Sequence, residues 1–173
     1  YRMLVAAAAL VLPIAVSANA SAGDVVNYSV DGEAFEGYHA KAIGASKGLV
    51  LVIHDWDGLT DYEYKRADML AAMGYDAFAV DLYGKGNRPV ETGAKKAETG
   101  KLYKDRERMR KLIVGGLDEA RKSGVQETVV LGYCFGGAAA LELARSGKAS
   151  NITGYASFHG GLKTPDGQMY SSD

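Results

Sequence analysis

The chain has 173 residues, 47% of them hydrophobic, which suffices for one domain with a substantial core. Its formal net charge of -1, from 20 basic and 21 acidic side chains, leaves no basic footprint for a nucleic-acid partner. A single cysteine excludes an internal disulfide, and with three scattered histidines (His39, His54 and His159) it makes no metal-ligand set, so neither metal nor cofactor is expected.

Residues 1–22 read as a secretory signal peptide. Arg2 and Met3 precede an apolar stretch, Leu4 to Val16, followed by the small-x-small pattern Ser17-Ala18-Asn19-Ala20. Cleavage is expected after Ala20 or Ala22. The stretch is shorter than the roughly 20 residues of a membrane span, and Pro13 interrupts it. The expectation is export to the periplasm or the exterior, with residues 23–173 forming the mature domain and no stable membrane insertion.

Val25 to Val30 and Glu33 to Ala40 read as two strands joined by Asp31-Gly32, a two-residue turn signal, and this hairpin is expected at a sheet edge. His39, on the returning strand, is read as structural. Leu49 to Ile53 is a continuous apolar run, the pattern of a strand buried on both faces of a parallel sheet. It ends in His54-Asp55-Trp56-Asp57-Gly58, polar residues where open α/β sheets place their sites. Thr60 and Glu63 form a capping box for a helix running to about Met73 and stopping at Gly74. Asp57 and Asp61 read as turn and first-turn residues. Asp76 to Val80 is the next strand, and the glycine-containing loop Asp81 to Pro89 follows. Its cations Lys85 and Arg88 either hold a substrate carboxylate or are solvated loop residues. Residues 91–108 are highly charged, with helical character over Tyr103 to Arg110. Met109, Leu112, Ile113, Leu117 and Ala120 continue it as one apolar stripe. Gly115-Gly116 within it marks a bend or a close approach to the sheet.

The chain is organised around residues 129–139, Val-Val-Leu-Gly-Tyr-Cys-Phe-Gly-Gly-Ala-Ala. A strand, a sharp turn and a helix are expected here, with Gly132-Tyr133-Cys134-Phe135-Gly136 matching the G-x-S-x-G nucleophile elbow with cysteine in the serine place. Such a turn pushes the central side chain out over the sheet, and Gly132 and Gly136 let neighbouring backbone pass close by. The amide of Phe135, at the helix start, can face a developing oxyanion. A strand–helix turn with a buried, inert cysteine fits the five residues as well. The helix is expected to reach about Arg145, ended by Ser146-Gly147. Ile152 to Phe158 supplies one more strand, and His159 follows it either as a base or as a loop-packing residue. Asp166, in Thr164-Pro165-Asp166-Gly167, reads as a turn. The fold expected is α/β, a mostly parallel twisted sheet with helices on both faces.

Three stretches together resemble the dienelactone hydrolase family of α/β-hydrolases. They are Val52 to Gly58 with the later Gly74-Tyr75 turn, Asp81 to Gly86, and Gly132 to Gly137 with Phe158-His159-Gly160-Gly161. The resemblance implies a Cys-His-Asp triad that opens lactones or cleaves carboxylic esters through an acyl-enzyme. It places the nucleophile at Cys134 and the oxyanion donors at the backbone amides of Trp56 and Phe135. The family's glutamate beside the thiol falls on Asp55, one methylene shorter, and its substrate-carboxylate arginine falls near Lys85. The triad acid and histidine are expected beyond residue 173, so the sequence reads as the N-terminal part of a longer protein, inactive on its own and a monomer when complete. A sheet cut after the 152–158 strand is expected to make residues 23–173 prone to self-association. The alternatives are an exported carbohydrate or plant-wall ester hydrolase, and a non-catalytic binding domain of the same fold.

Overall fold

The computed structural model describes residues 22–164. The expected leader, Ala22 excepted, lies outside the described residues, as does Asp166. Ten elements follow in order: β1 (Asp24–Val30), β2 (Glu33–Ala40), β3 (Leu49–Ile53), α1 (Asp61–Ala72), β4 (Asp76–Val80), α2 (Thr92–Lys104), α3 (Arg106–Arg121), β5 (Thr128–Tyr133), α4 (Phe135–Ser146) and β6 (Ile152–Phe158). The strands form one sheet in the order β1-β2-β4-β3-β5-β6. β3, β4, β5 and β6 run parallel, and the β1–β2 hairpin joins antiparallel against β4. The hairpin turn uses Asp31 and Gly32 at φ 52° and 82°, the positive values a two-residue turn requires.

Side-chain alternation divides the core between the two faces of the sheet. Leu49, Leu51 and Ile53 of β3 join Phe78 and Val80 beneath α3 and α4. Val50 and Val52 join Ala77 and Ala79 beneath Ala67 and Ala71 of α1. All five residues of β3 and of β4 are buried, as strands covered on both faces must be. Gly115 and Gly116 do not interrupt α3. A Cβ on Gly116 would fall 2.1 Å from Val80 Cγ2 and one on Gly115 2.4 Å from Val30 Cγ2, so the pair marks close approach of helix to sheet.

The helical region after the β4 loop departs from expectation. It is two helices meeting at Asp105, whose backbone (φ -118°, ψ 80°) is non-helical and whose carboxylate accepts the Arg108 N–H at 2.9 Å. The aspartate closes α2 and caps α3 with one residue. α1 has the expected capping box, with the Glu63 carboxylate accepting the Thr60 N–H at 2.9 Å.

Candidate active site

The elbow forms as its spacing dictates. Cys134 has φ 52° and ψ -112°, outside every region favoured by a side-chain-bearing residue. Its N–H donates to the Phe158 carbonyl at 2.9 Å, tying the turn to the end of β6. A Cβ on Gly132 would meet the Gly136 carbonyl oxygen at 2.1 Å, and one on Gly136 the Ile53 and His54 carbonyl oxygens at 2.3 and 2.4 Å. Backbone cannot move aside as a side chain can, so both positions demand glycine. The thiol is partly exposed and free. Phe135 begins α4, so its amide belongs to the N-terminal turn, where N–H groups lack helical acceptors.

Register brings the second half of the site to the same place. Ile53 of β3 pairs with Gly132 of β5, and the residues three further on are Trp56 and Phe135. Asp55 and Cys134 each lie two residues beyond the paired positions. His54, fully buried, fastens the β3 end to the β4 end. Its Nε2 accepts the Leu82 N–H at 3.1 Å, which leaves Nδ1 protonated and donating to the Asp55 carbonyl at 2.6 Å. Burial holds its pKa below the ordinary imidazole value, so it is neutral and both nitrogens are engaged.

Asp55 accepts the Asp57 N–H at 3.0 Å, and the two carboxyl groups also bond to each other. Burial first, and then this bond, push the Asp55 pKa up to about 7. Burial works against the Asp57 charge as well, but the bond from Asp55 and the Lys95 ammonium at 3.3 Å outweigh it and hold Asp57 low. Asp55 is therefore the partner that carries the proton and Asp57 the one that carries the charge. Lys95 also lies over the Trp56 ring, 5.5 Å from its centroid. The Tyr83 hydroxyl donates to the Trp56 carbonyl at 3.1 Å.

The two expected substrate cations take different positions. Lys85 is exposed at the loop turn, where its backbone N–H donates to the Ala34 carbonyl at 2.9 Å. Arg88 turns into the fold. It donates to the Asn87 and Gly84 carbonyls at 2.9 and 3.3 Å and pairs with Glu36 at 3.3 Å and the buried Asp81 at 3.5 Å. Neither of the other histidines is held in the Asp55–Asp57 cluster. His39 faces Asp76 at 3.4 Å between β2 and β4, and His159 is exposed after β6 with φ 45°.

Residues to which the sequence reading gave no role in the site complete the surroundings, among them Asp57, read there as a turn residue. Asp57 and Lys95 form the charge cluster, for which the Asp-x-Asp spacing of Asp55 and Asp57 is a visible signal. Tyr83 and Tyr103 each stand against Phe135, with ring centroids at 5.9 and 5.4 Å. No local pattern marks Tyr103, which reaches the elbow from the end of α2. Among the described residues no group of three or more His, Cys, Asp or Glu is arranged to hold a metal ion. Nor is any described helix long and apolar enough to cross a membrane.

The family model described as the dienelactone hydrolase family matches residues 35–172. A solved structure named m3DLH is 32% identical with a TM-score of 0.75, covering 82% of this chain and 60% of its own. A dienelactone hydrolase-like promiscuous phosphotriesterase, P91, from metagenomic libraries is 29% identical with a TM-score of 0.72, covering 81% of this chain and 59% of its own. A dienelactone hydrolase from Anabaena variabilis shares the fold at 21% identity and a TM-score of 0.61, covering 80% of this chain and 63% of its own. The chain thus spans about three fifths of the length of these structures. None of the curated proteins matches.

Proposed function

The chain belongs to the dienelactone hydrolase family, of α/β-hydrolase fold, and from that premise we propose that the full-length protein cleaves a carboxylic ester or lactone through an acyl-enzyme on Cys134. The observation that carries the reading is the backbone of Cys134. A non-glycine residue at φ 52° between β5 and α4, flanked by glycines with no room for a Cβ, is costly to hold and serves to present the thiol. An inert buried cysteine has no use for that strain.

The thiolate attacks the substrate carbonyl carbon, and the carbonyl oxygen takes up the electron pair. The amides of Trp56 and Phe135, equally placed beyond the β3–β5 pairing, donate to that oxyanion. One such donor contributes about 3 kcal/mol of transition-state stabilisation. Collapse of the intermediate breaks the bond to the alkoxide or ring oxygen and leaves a thioester, which water then hydrolyses. His54 is engaged at both nitrogens, and His159 is exposed after β6; the family's triad, carried over, assigns the thiol proton to a histidine beyond residue 173, oriented by an acid also beyond it. Asp55, once ionised above about pH 7, opposes the thiolate by like-charge repulsion and acts as a brake on the resting nucleophile. Lys85, exposed at the β4 loop, is the cation open to a substrate carboxylate.

The reading includes export of the protein with the leader cleaved after Ala20 or Ala22, which sequencing the N-terminus of secreted material checks: Ser21 or Gly23 should come first. For the mechanism, Cys134→Ala in the full-length protein abolishes turnover of an activated ester and leaves the unfolding transition in place. Undiminished hydrolysis by that variant rejects the nucleophile.

A further inference from the structure

Four rings run from the core to the surface beside the elbow. His54 and Phe135 are buried, Tyr83 is half-buried between them, and Tyr103 is the outermost at 38% exposure. Tyr103 sits one residue from the end of α2, a helix of which only Thr99 and Leu102 are buried. Its ring is nonetheless fixed on two sides. One edge meets Phe135 at 84° between planes, and the Arg106 guanidinium covers a face at 4.9 Å from the centroid. Arg106 is held in turn: its Nε donates to the Tyr103 carbonyl at 3.1 Å and its Nη1 to the buried Glu142 at 3.0 Å. Phe135, which the ring meets, follows Cys134 directly at the start of α4.

A loosely packed helix end has little need for a pinned aromatic ring, whereas a site that grips an organic group beside a reacting carbonyl does. We infer that Tyr103 is a specificity-determining substrate contact, an aromatic wall for an apolar or aryl group attached to the scissile ester. The inference rests on the hydrolase reading of Cys134. The ring supplies a flat apolar surface against Phe135, the residue that follows the nucleophile, and Arg106 and Phe135 fix its orientation before substrate arrives, so little side-chain freedom is lost on binding. A stacked aromatic contact changes affinity about 5- to 10-fold. An aryl substituent is thereby favoured over a methyl by that factor.

The test is a ratio measured on the full-length protein. Two ester series are hydrolysed by wild type, Tyr103→Leu and Tyr103→Phe. One varies the acyl part from acetyl to phenylacetyl with a fixed alcohol, and the other varies the alcohol with a fixed acetyl. Tyr103→Leu lowers the aryl-to-methyl ratio of kcat/KM about 5- to 10-fold in one of the series, which assigns the wall to that side of the carbonyl. Tyr103→Phe, which keeps the ring, preserves the ratio. Partial unfolding or a merely structural role lowers both substrates of a pair together and leaves the ratio where it was. A ratio unchanged in both series overturns the inference, as does an equal loss in Tyr103→Phe and Tyr103→Leu. Activity surviving in Cys134→Ala rejects the hydrolase reading instead, so the two failures are distinct.

Discussion

Replacing Asp55 with asparagine should convert a pH-dependent stability into a flatter one. Asp55 holds its proton up to about pH 7 because the site is half-buried and the proton bonds it to Asp57, itself held charged by Lys95. A raised folded pKa contributes stability that is complete below the ordinary 3.8 and lost as pH rises through about 7. The rise from 3.8 to about 7 corresponds to ~4 kcal/mol without screening. Solvent at this half-exposed position reduces that to about 1–2 kcal/mol. An amide carries no charge at either end of the range and can still donate to Asp57. Thermal unfolding of the two proteins at pH 4 and pH 8 should therefore show Asp55→Asn gaining on wild type by about 3–6 °C toward the higher pH. Titrations common to both proteins cancel in the difference. Alkylation of Cys134 gives a second reading. The variant should react faster than wild type at pH 8, where the wild-type carboxylate is ionised, and equally fast at pH 5.5. A stability difference that stays flat, or moves toward wild type as pH rises, refutes the shared proton. Equal alkylation rates at pH 8 refute the brake.

Gly136→Ala should cost about 3 kcal/mol, because its Cβ would stand 2.3 Å from the Ile53 carbonyl oxygen. Gly100→Ala, in α2 with nothing within 4 Å, should instead add about 0.5–1 kcal/mol, and denaturant unfolding of the pair separates the two signs. Glu142→Ala leaves Arg106 and Arg110 without their buried carboxylate and should cost about 3 kcal/mol. A urea midpoint equal to wild type for that variant would show that the pairs contribute no net stability.

Most of the fold was legible because its signals are local. Asp31-Gly32 prescribes its own backbone, Thr60 and Glu63 cap α1 across three residues, and the buried run Leu49–Ile53 announces helices on both faces. The elbow at Cys134 belongs with these, since strand, strained turn and helix lie within eleven residues. The boundary between α2 and α3 was not legible. Asp105 has the composition of a cap, but helix-forming residues stand on both sides of it, and only its non-helical backbone divides them.

The long-range charge pairs failed to show for a different reason. Lys95 reaches Asp57 across 38 positions, and Arg88 reaches Glu36 across 52. Such pairings are decided by where the sheet order puts whole elements, not by spacing along the chain. Arg88 shows the consequence. Beside glycines in a strand-end loop, it has the sequence context of a substrate cation. β2 lies next to β4, however, so Glu36 and the buried Asp81 converge on the same guanidinium. Asp81 already accepts the backbone N–H groups of Tyr83, Gly84 and Glu36, and Arg88 adds a positive charge beside its buried carboxylate. Lys85, three residues earlier, stays in solvent. What draws one loop cation inward and leaves the other in solvent is thus the convergence of Glu36 and Asp81, which only the assembled sheet confers.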